Sequence, residues 1–153
     1  MNTRKAFFLV LIFLLSITYT QGQQSIDCYK AIFTVPPQNV PTIKTPDAPL
    51  AGNGDIGITM GGTPDNLCFY IGKNDFWRAY PVYPGGIALP GGLDIAIEGL
   101  RNASYYAEQL PESAEISALF STSDCKVNLS AWVAATENKV IIELQSDKEQ
   151  TVR

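Results

Sequence analysis

The sequence predicts an all-β chain built as an antiparallel β-sandwich, and three observations carry that reading. Apolar residues alternate with polar or small ones over short stretches, as at Ile56, Ile58 and Met60 and again at Leu93, Ile95 and Ile97. That is the period of a strand with one buried face. Glycine, proline, asparagine and aspartate cluster between these stretches every eight to twelve residues or so, the punctuation of antiparallel sheets. No longer segment carries apolar residues at the period of an amphipathic helix.

The elements follow in order. Residues 1–22 read as a cleavable leader: Arg4 and Lys5 are its cationic start, Ala6 through Ile17 its apolar middle, and Thr20 and Gly22 stand at the −3 and −1 positions of a cleavage site. The apolar stretch is too short to span a bilayer, so the expectation is export, extracellular or, in a bacterium, periplasmic. Residues 23–49 form a proline-rich extended lead-in (Pro36, Pro37, Pro41, Pro46, Pro49) with one short strand within Tyr29–Val35. The sandwich domain occupies residues 50–153. Ile56 to Met60 is a strand, Gly61 to Asn66 a turn, and Leu67 to Ile71 a returning strand so apolar that burial on both faces is expected. Pro81 to Gly92 is a Gly/Pro loop, and Leu93 to Glu98 a further strand. A meander then runs through Ser104–Leu110, Ala114–Ser121, Lys126–Ala134 and Val140–Leu144. In its third strand Val127, Leu129 and Ala131 share one face, and Trp132 is expected in the core. The run from Ser146 to Arg153 is polar with no terminating turn, which predicts an incomplete sandwich, a fragment of a larger domain.

Composition removes several function classes. There is no histidine, so Ser-His-Asp and Cys-His nucleophilic sites and His-ligated zinc are excluded. The chain has 11 basic and 15 acidic residues. Cleavage of the leader takes Arg4 and Lys5 and no acid, leaving 9 against 15, a net charge of −6. Nucleic acid is a poor partner for such a chain, because phosphate neutralisation supplies most of that affinity; anionic membranes are disfavoured for the same reason. Neutral carbohydrate remains open. Cys28, Cys68 and Cys125 fit no metal-binding spacing. In an oxidising compartment one disulfide among them is possible, its pairing undetermined. Asn102-Ala103-Ser104 and Asn128-Leu129-Ser130 are glycosylation acceptors in a eukaryotic host, at a frequency that composition alone accounts for. Neither a metal nor a cofactor is implied.

The most informative stretch is Pro49-Leu50-Ala51-Gly52-Asn53-Gly54-Asp55-Ile56-Gly57, followed by Gly61-Gly62 and then Phe69-Tyr70-Ile71-Gly72-Lys73-Asn74-Asp75-Phe76-Trp77. On its own chemistry the first part is a structural corner. Its glycines admit tight turns and close approach, and Asn53 and Asp55 can bond the turn's backbone. A phosphate loop is excluded, since no Gly-Lys-Ser/Thr pair and no following helix are present. Asn74, Asp75 and Trp77, extended by Arg78, Tyr80 and Tyr83, have the make-up of a neutral-sugar surface. An indole face packs on C–H groups while amide, carboxylate and guanidinium bridge hydroxyls. The alternative is that Trp77 plugs the end of the sandwich and Asp75 caps a turn.

Taken together with Tyr106–Leu110 and Ser130–Asn138, these segments resemble the N-terminal domain of glycoside hydrolase family 95, the α-L-fucosidase-like enzymes, and relatives in the six-hairpin glycosidase group. The similarity covers roughly residues 48–145. The resemblance implies a supersandwich-like domain that packs against a downstream (α/α)6 barrel holding the catalytic acid and base, a barrel missing from this sequence. No catalytic residue is then expected here, and Asn74, Asp75, Trp77 and Arg78 are the candidate carbohydrate contacts. Aligned on the tryptophan, the acid of the family pattern sits one position away from Asp75, and one step along a strand reverses the face. Glu108/Glu112 and Glu112/Glu115 flank a turn and read as solvated surface acids, not as a catalytic pair. Two rival readings stand beside the glycosidase domain: a free-standing lectin-like module, and a structural extracellular sandwich.

Overall fold

The computed structural model describes residues 29–42, 44–78 and 86–153. The leader, Cys28, Tyr80 and Tyr83 lie outside the described residues, as does the first part of the Gly/Pro loop. Eleven strands are present among the described residues: β1 (Ala31–Phe33), β2 (Leu50–Gly52), β3 (Ile56–Thr63), β4 (Asn66–Lys73), β5 (Trp77–Arg78), β6 (Gly86–Ile87), β7 (Gly91–Ala96), β8 (Ser104–Leu110), β9 (Glu115–Ser121), β10 (Lys126–Val133) and β11 (Val140–Ser146). A single 3-10 turn, Glu98–Leu100, separates β7 from β8. Among the described residues no helix is long and apolar enough to cross a membrane.

Every strand pairing is antiparallel. One sheet has five strands in the order β1-β8-β9-β10-β11, a second has four in the order β2-β3-β4-β7, and β5 with β6 makes a small ribbon. The larger sheet is a true meander from β8 to β11, joined by short polar turns. The smaller one is built on the β3–β4 hairpin, whose register runs from Ile56↔Lys73 to Thr63↔Asn66. The turn itself is only Pro64-Asp65, because β3 continues through Gly61 and Gly62. Gly62 makes that possible: its φ is +81°, and a Cβ there would lie 2.2 Å from the carbonyl oxygen of Asn66.

The core lies between the sheets. Ile58, Met60, Leu67, Phe69 and Ile95 point inward from the four-stranded sheet. Tyr105, Ala107, Ile116, Ala118, Phe120, Val127, Leu129, Ala131 and Val133 point inward from the other. On each strand these residues are two apart, so alternation in sequence became one buried face in space. Alanines recur across the middle of the larger sheet, with Ala107 paired to Ala118 and Ala131 to Ile116. There the chain leaves room for β2, which packs over β9 and β10. The lead-in then crosses to the smaller sheet. Ala48 and Pro49 are buried, and the Val40 side chain packs over Gly61 on that sheet's outer face.

One core group is poorly provided for. Tyr105 is buried and its ring sits 5.5 Å from that of Phe120 at a tilt, yet its hydroxyl has no hydrogen-bond partner among the described residues. Burial pushes this phenol's pKa up. An unsatisfied buried hydroxyl costs about 1–3 kcal/mol. Tyr105→Phe is therefore expected to stabilise the protein, by about 1 kcal/mol, read as a higher urea midpoint at unchanged slope.

Several sequence expectations need correction. The strand expected at Leu93–Glu98 is β7 at Gly91–Ala96, and β6 at Gly86–Ile87 lies within the expected Gly/Pro loop. Leu67 and Phe69 are buried, but Cys68 and Tyr70 between them lie half-exposed on the outer face, so β4 is buried on one side only. Trp132 shares its phase with Asn128 and Ser130, not with the buried set, and lies half-buried on the outer face of β10. The fourth meander strand runs on to Ser146, and the following polar run folds back so that Val152 bridges Ile97. β9 starts one residue late, at Glu115, because Ala114 adopts a left-handed φ of 53°. Cys68 and Cys125 are free thiols, the latter donating to the Gly99 carbonyl at 3.6 Å.

Candidate functional site

The glycine-rich corner and the end of β4 come together at one end of the sandwich. Asn53 organises the corner through both ends of its amide. Its Oδ1 accepts from the N–H groups of Asp55 (3.0 Å) and Ile56 (2.9 Å). Its Nδ2 donates to the carbonyls of Ala134 (2.9 Å) and Glu137 (3.4 Å), in the turn between β10 and β11. One side chain thus shapes its own turn and ties the small sheet to the large one. The structural reading of this motif holds for Asn53.

Asn74 does comparable work from the other strand. Its N–H donates to the Asp55 carbonyl at 3.0 Å and its Nδ2 to the Gly54 carbonyl at 2.9 Å. The Trp77 indole N–H in turn donates to the Asn74 carbonyl at 2.8 Å. That bond fixes the ring without covering it: Trp77 is 64% exposed, and Phe76 and Arg78 beside it are exposed as well. The tryptophan does not plug the sandwich. The β5–β6 ribbon holds it in place, with the Ala88 N–H donating to the Phe76 carbonyl.

Lys73 is the residue that sequence reasoning missed. Its ammonium donates to Asp55 at 2.9 Å and to Asp75 at 2.6 Å. The signal was the pairing of Lys73 with Ile56, next to Asp55, which only the hairpin register reveals. Behind this triad Gly52, Gly57 and Gly72 stand opposite one another on β2, β3 and β4. With no side chains there, they floor a shallow, mostly apolar trough of about 420 Å³, edged by Leu50, Asp55, Lys73 and Asn74. At Gly52 a Cβ would come within 2.6 Å of the Ile56 carbonyl oxygen, so the corner admits only glycine.

The electrostatics favour holding over proton transfer. The Lys73 hydrogen bond, followed by that of Asn138, keeps the Asp55 carboxyl below its usual value. Asp75 first and Asp55 second keep the Lys73 ammonium above its own. An acid that must donate a proton near neutrality needs the opposite shift. A carboxyl with a lowered folded pKa adds stability above its unfolded pKa and loses it as pH falls through the folded one. An amine with a raised pKa adds stability below its unfolded value and loses it as pH rises through the folded one. The Lys73–Asp55 pair is therefore intact across neutral pH. In thermal melts taken from neutral pH down through the carboxylate range, Asp55→Asn is expected to flatten the acid limb of the melting curve against pH.

Of the four predicted contacts, then, Trp77 and Arg78 are exposed, Asp75 is exposed and ion-paired, and Asn74 has its amide N–H committed to Gly54. Glu108 is not part of this site: it pairs with Lys30 at 2.6 Å and accepts from the Tyr106 hydroxyl. Among the described residues no group of three or more acids or cysteines is placed to hold a metal ion. A scan against protein-family models finds no match to this chain, and a search of curated proteins finds none either.

Proposed function

We propose that this chain is the non-catalytic β-sandwich domain of a secreted glycoside hydrolase resembling the family 95 α-L-fucosidase-like enzymes. In this reading the sandwich packs against an (α/α)6 barrel that supplies acid and base, and its Trp77 end rims the glycan site. The observation that carries it is the exposed Trp77 ring, locked through its indole N–H to a rigid corner. A pre-positioned indole face suits the C–H surface of a pyranose, with Asp75 and Arg78 beside it for the hydroxyls. Asn74 acts here as a positioning residue, since its amide N–H is engaged by Gly54.

A second reading, a free-standing lectin-like module, draws on the same ring. The two separate in one pair of assays on the secreted chain. Both require glycan-array binding that falls at least about tenfold, about 1.4 kcal/mol, in Trp77→Ala, with stability within about 0.5 kcal/mol of the parent because the side chain is exposed. Tight binding by the chain alone favours the lectin; weak binding that tightens when a family 95 barrel is supplied favours the domain. Turnover of p-nitrophenyl α-L-fucoside by the chain alone, or binding indifferent to Trp77→Ala, would refute the proposal.

A further inference from the structure

We infer that the sugar-binding surface crosses from one sheet to the other, from Trp77 to Asn138 in the β10–β11 turn, and takes a neutral saccharide of more than one ring. The inference rests on the reading of Trp77 as a sugar contact and names the class of saccharide. Between these two residues the polar side chains form a continuous line. Asp75 and Asp55 both accept from the Lys73 ammonium, at 2.6 Å and 2.9 Å, and the Asp55 carboxylate accepts from the Asn138 amide as well. Lys73 ends β4 in the four-stranded sheet, and Trp77 follows it closely; Asn138 lies between β10 and β11 of the five-stranded one. Packed sheets lie about 10 Å apart, so a line that crosses between them is longer than one six-membered ring.

Each group along the line keeps bonding capacity for a ligand. An ammonium has three N–H donors and a carboxylate about four lone-pair sites. Lys73 spends two donors on the two acids. Asp75 is exposed and accepts from Lys73 alone among the described residues, and the Asn138 side-chain oxygen has no partner among them. Sugar hydroxyls, each both donor and acceptor, match this alternation of amide, carboxylate and ammonium. An anionic sugar does not, because two carboxylates flank the single ammonium and the chain is acidic overall. The spacing of the two ends is also fixed in advance. Asn53 donates to the Ala134 and Glu137 carbonyls of the same turn, and Asn74 bonds both the Gly54 carbonyl and the Trp77 indole. Both ends thus hang on one corner, and a ligand meets them without ordering a loop, a cost that weakens binding elsewhere.

The experiment titrates the secreted chain calorimetrically with neutral α-L-fucosides of one, two and three rings, starting from methyl α-L-fucoside. Affinity is expected to rise at least about tenfold from one ring to three. Asn138→Ala should weaken the three-ring compound about fivefold, as loss of one hydrogen bond does, and leave the one-ring compound unchanged. Thr136→Ala, at an exposed position of the same turn, should bind every compound as the parent does. Trp77→Ala should weaken all three. A sialylated trisaccharide should bind less tightly than the neutral one. The inference is overturned by equal affinity for one and three rings, by an Asn138→Ala variant that binds three rings as the parent does, by equal losses in Thr136→Ala and Asn138→Ala, or by sialylated binding as tight as neutral. In each of those cases sensitivity to Trp77→Ala leaves the sugar contact itself standing. Binding indifferent to Trp77→Ala, or no binding at any length, removes that contact and the inference with it.

Discussion

Phe120→Ala is expected to lower the free energy of unfolding by about 3–5 kcal/mol, the cost of removing a fully buried aromatic side chain. The ring is completely inaccessible, stands between Tyr105 on β8 and Val127 on β10, and meets the Tyr105 ring at 5.5 Å. Three terms add: lost transfer energy, the cavity left behind, and an aromatic pair worth about 0.5–1.5 kcal/mol. The neighbours can do little to fill the gap, because Ala107 and Ala118 on the adjacent rungs are small and are themselves covered by the other sheet. For a domain of this size the loss is a large part of the total, which is typically about 5–15 kcal/mol. Urea denaturation followed by tryptophan fluorescence should show it; a shift in midpoint corresponding to less than about 1 kcal/mol would mean that the sheets do not pack face to face at this point.

Gly62→Ala comes next, at about 3 kcal/mol. Two costs combine. A left-handed φ costs a residue with a Cβ about 1–2 kcal/mol, and the new carbon would lie 2.2 Å from the Asn66 carbonyl oxygen. Relief of that contact must shift the backbone of the β3–β4 hairpin, and forced shifts of a packed structure cost about 1–3 kcal/mol. Gly54→Ala is the informative control. Its φ of +91° carries the same conformational penalty, but nothing lies within 4 Å of a Cβ there. The difference between the two variants, measured by the same denaturation, isolates the steric part. Equal effects would contradict the hairpin geometry.

Much of the fold was legible in the sequence because the physics that set it is local. Alternation of period two and polar turns placed β8 at Ser104–Leu110 and put Val127, Leu129 and Ala131 on one face without knowledge of any partner strand. What failed were questions about the second face. Whether Cys68 and Tyr70 are covered, or which way Trp132 turns, depends on what packs outside the sheet, and large apolar side chains do not announce that. For Trp132 the alternation itself held the answer, since it lies out of phase with its apolar neighbours; its size was the misleading cue. The candidate site divides in the same way. Asn53 was readable as a turn residue from its own chemistry, and Trp77 could be proposed but not placed. Lys73 was invisible, since its two acid partners meet it only after β3 and β4 have paired in register.

The pairing of β1 with β8 has a consequence during synthesis. Lys30 and Glu108, which meet at its start, are 78 residues apart in the chain. A ribosome adding about 5–20 residues per second takes roughly 4 to 16 seconds to cover that distance. Throughout that interval the first strand has been made and has no edge to join. Nascent polypeptide arrested before β8 emerges should accordingly be cut by protease near Ala31; the β3–β4 hairpin finds its cross-strand pairs within its own short stretch, and only its inward face still waits for β8–β10.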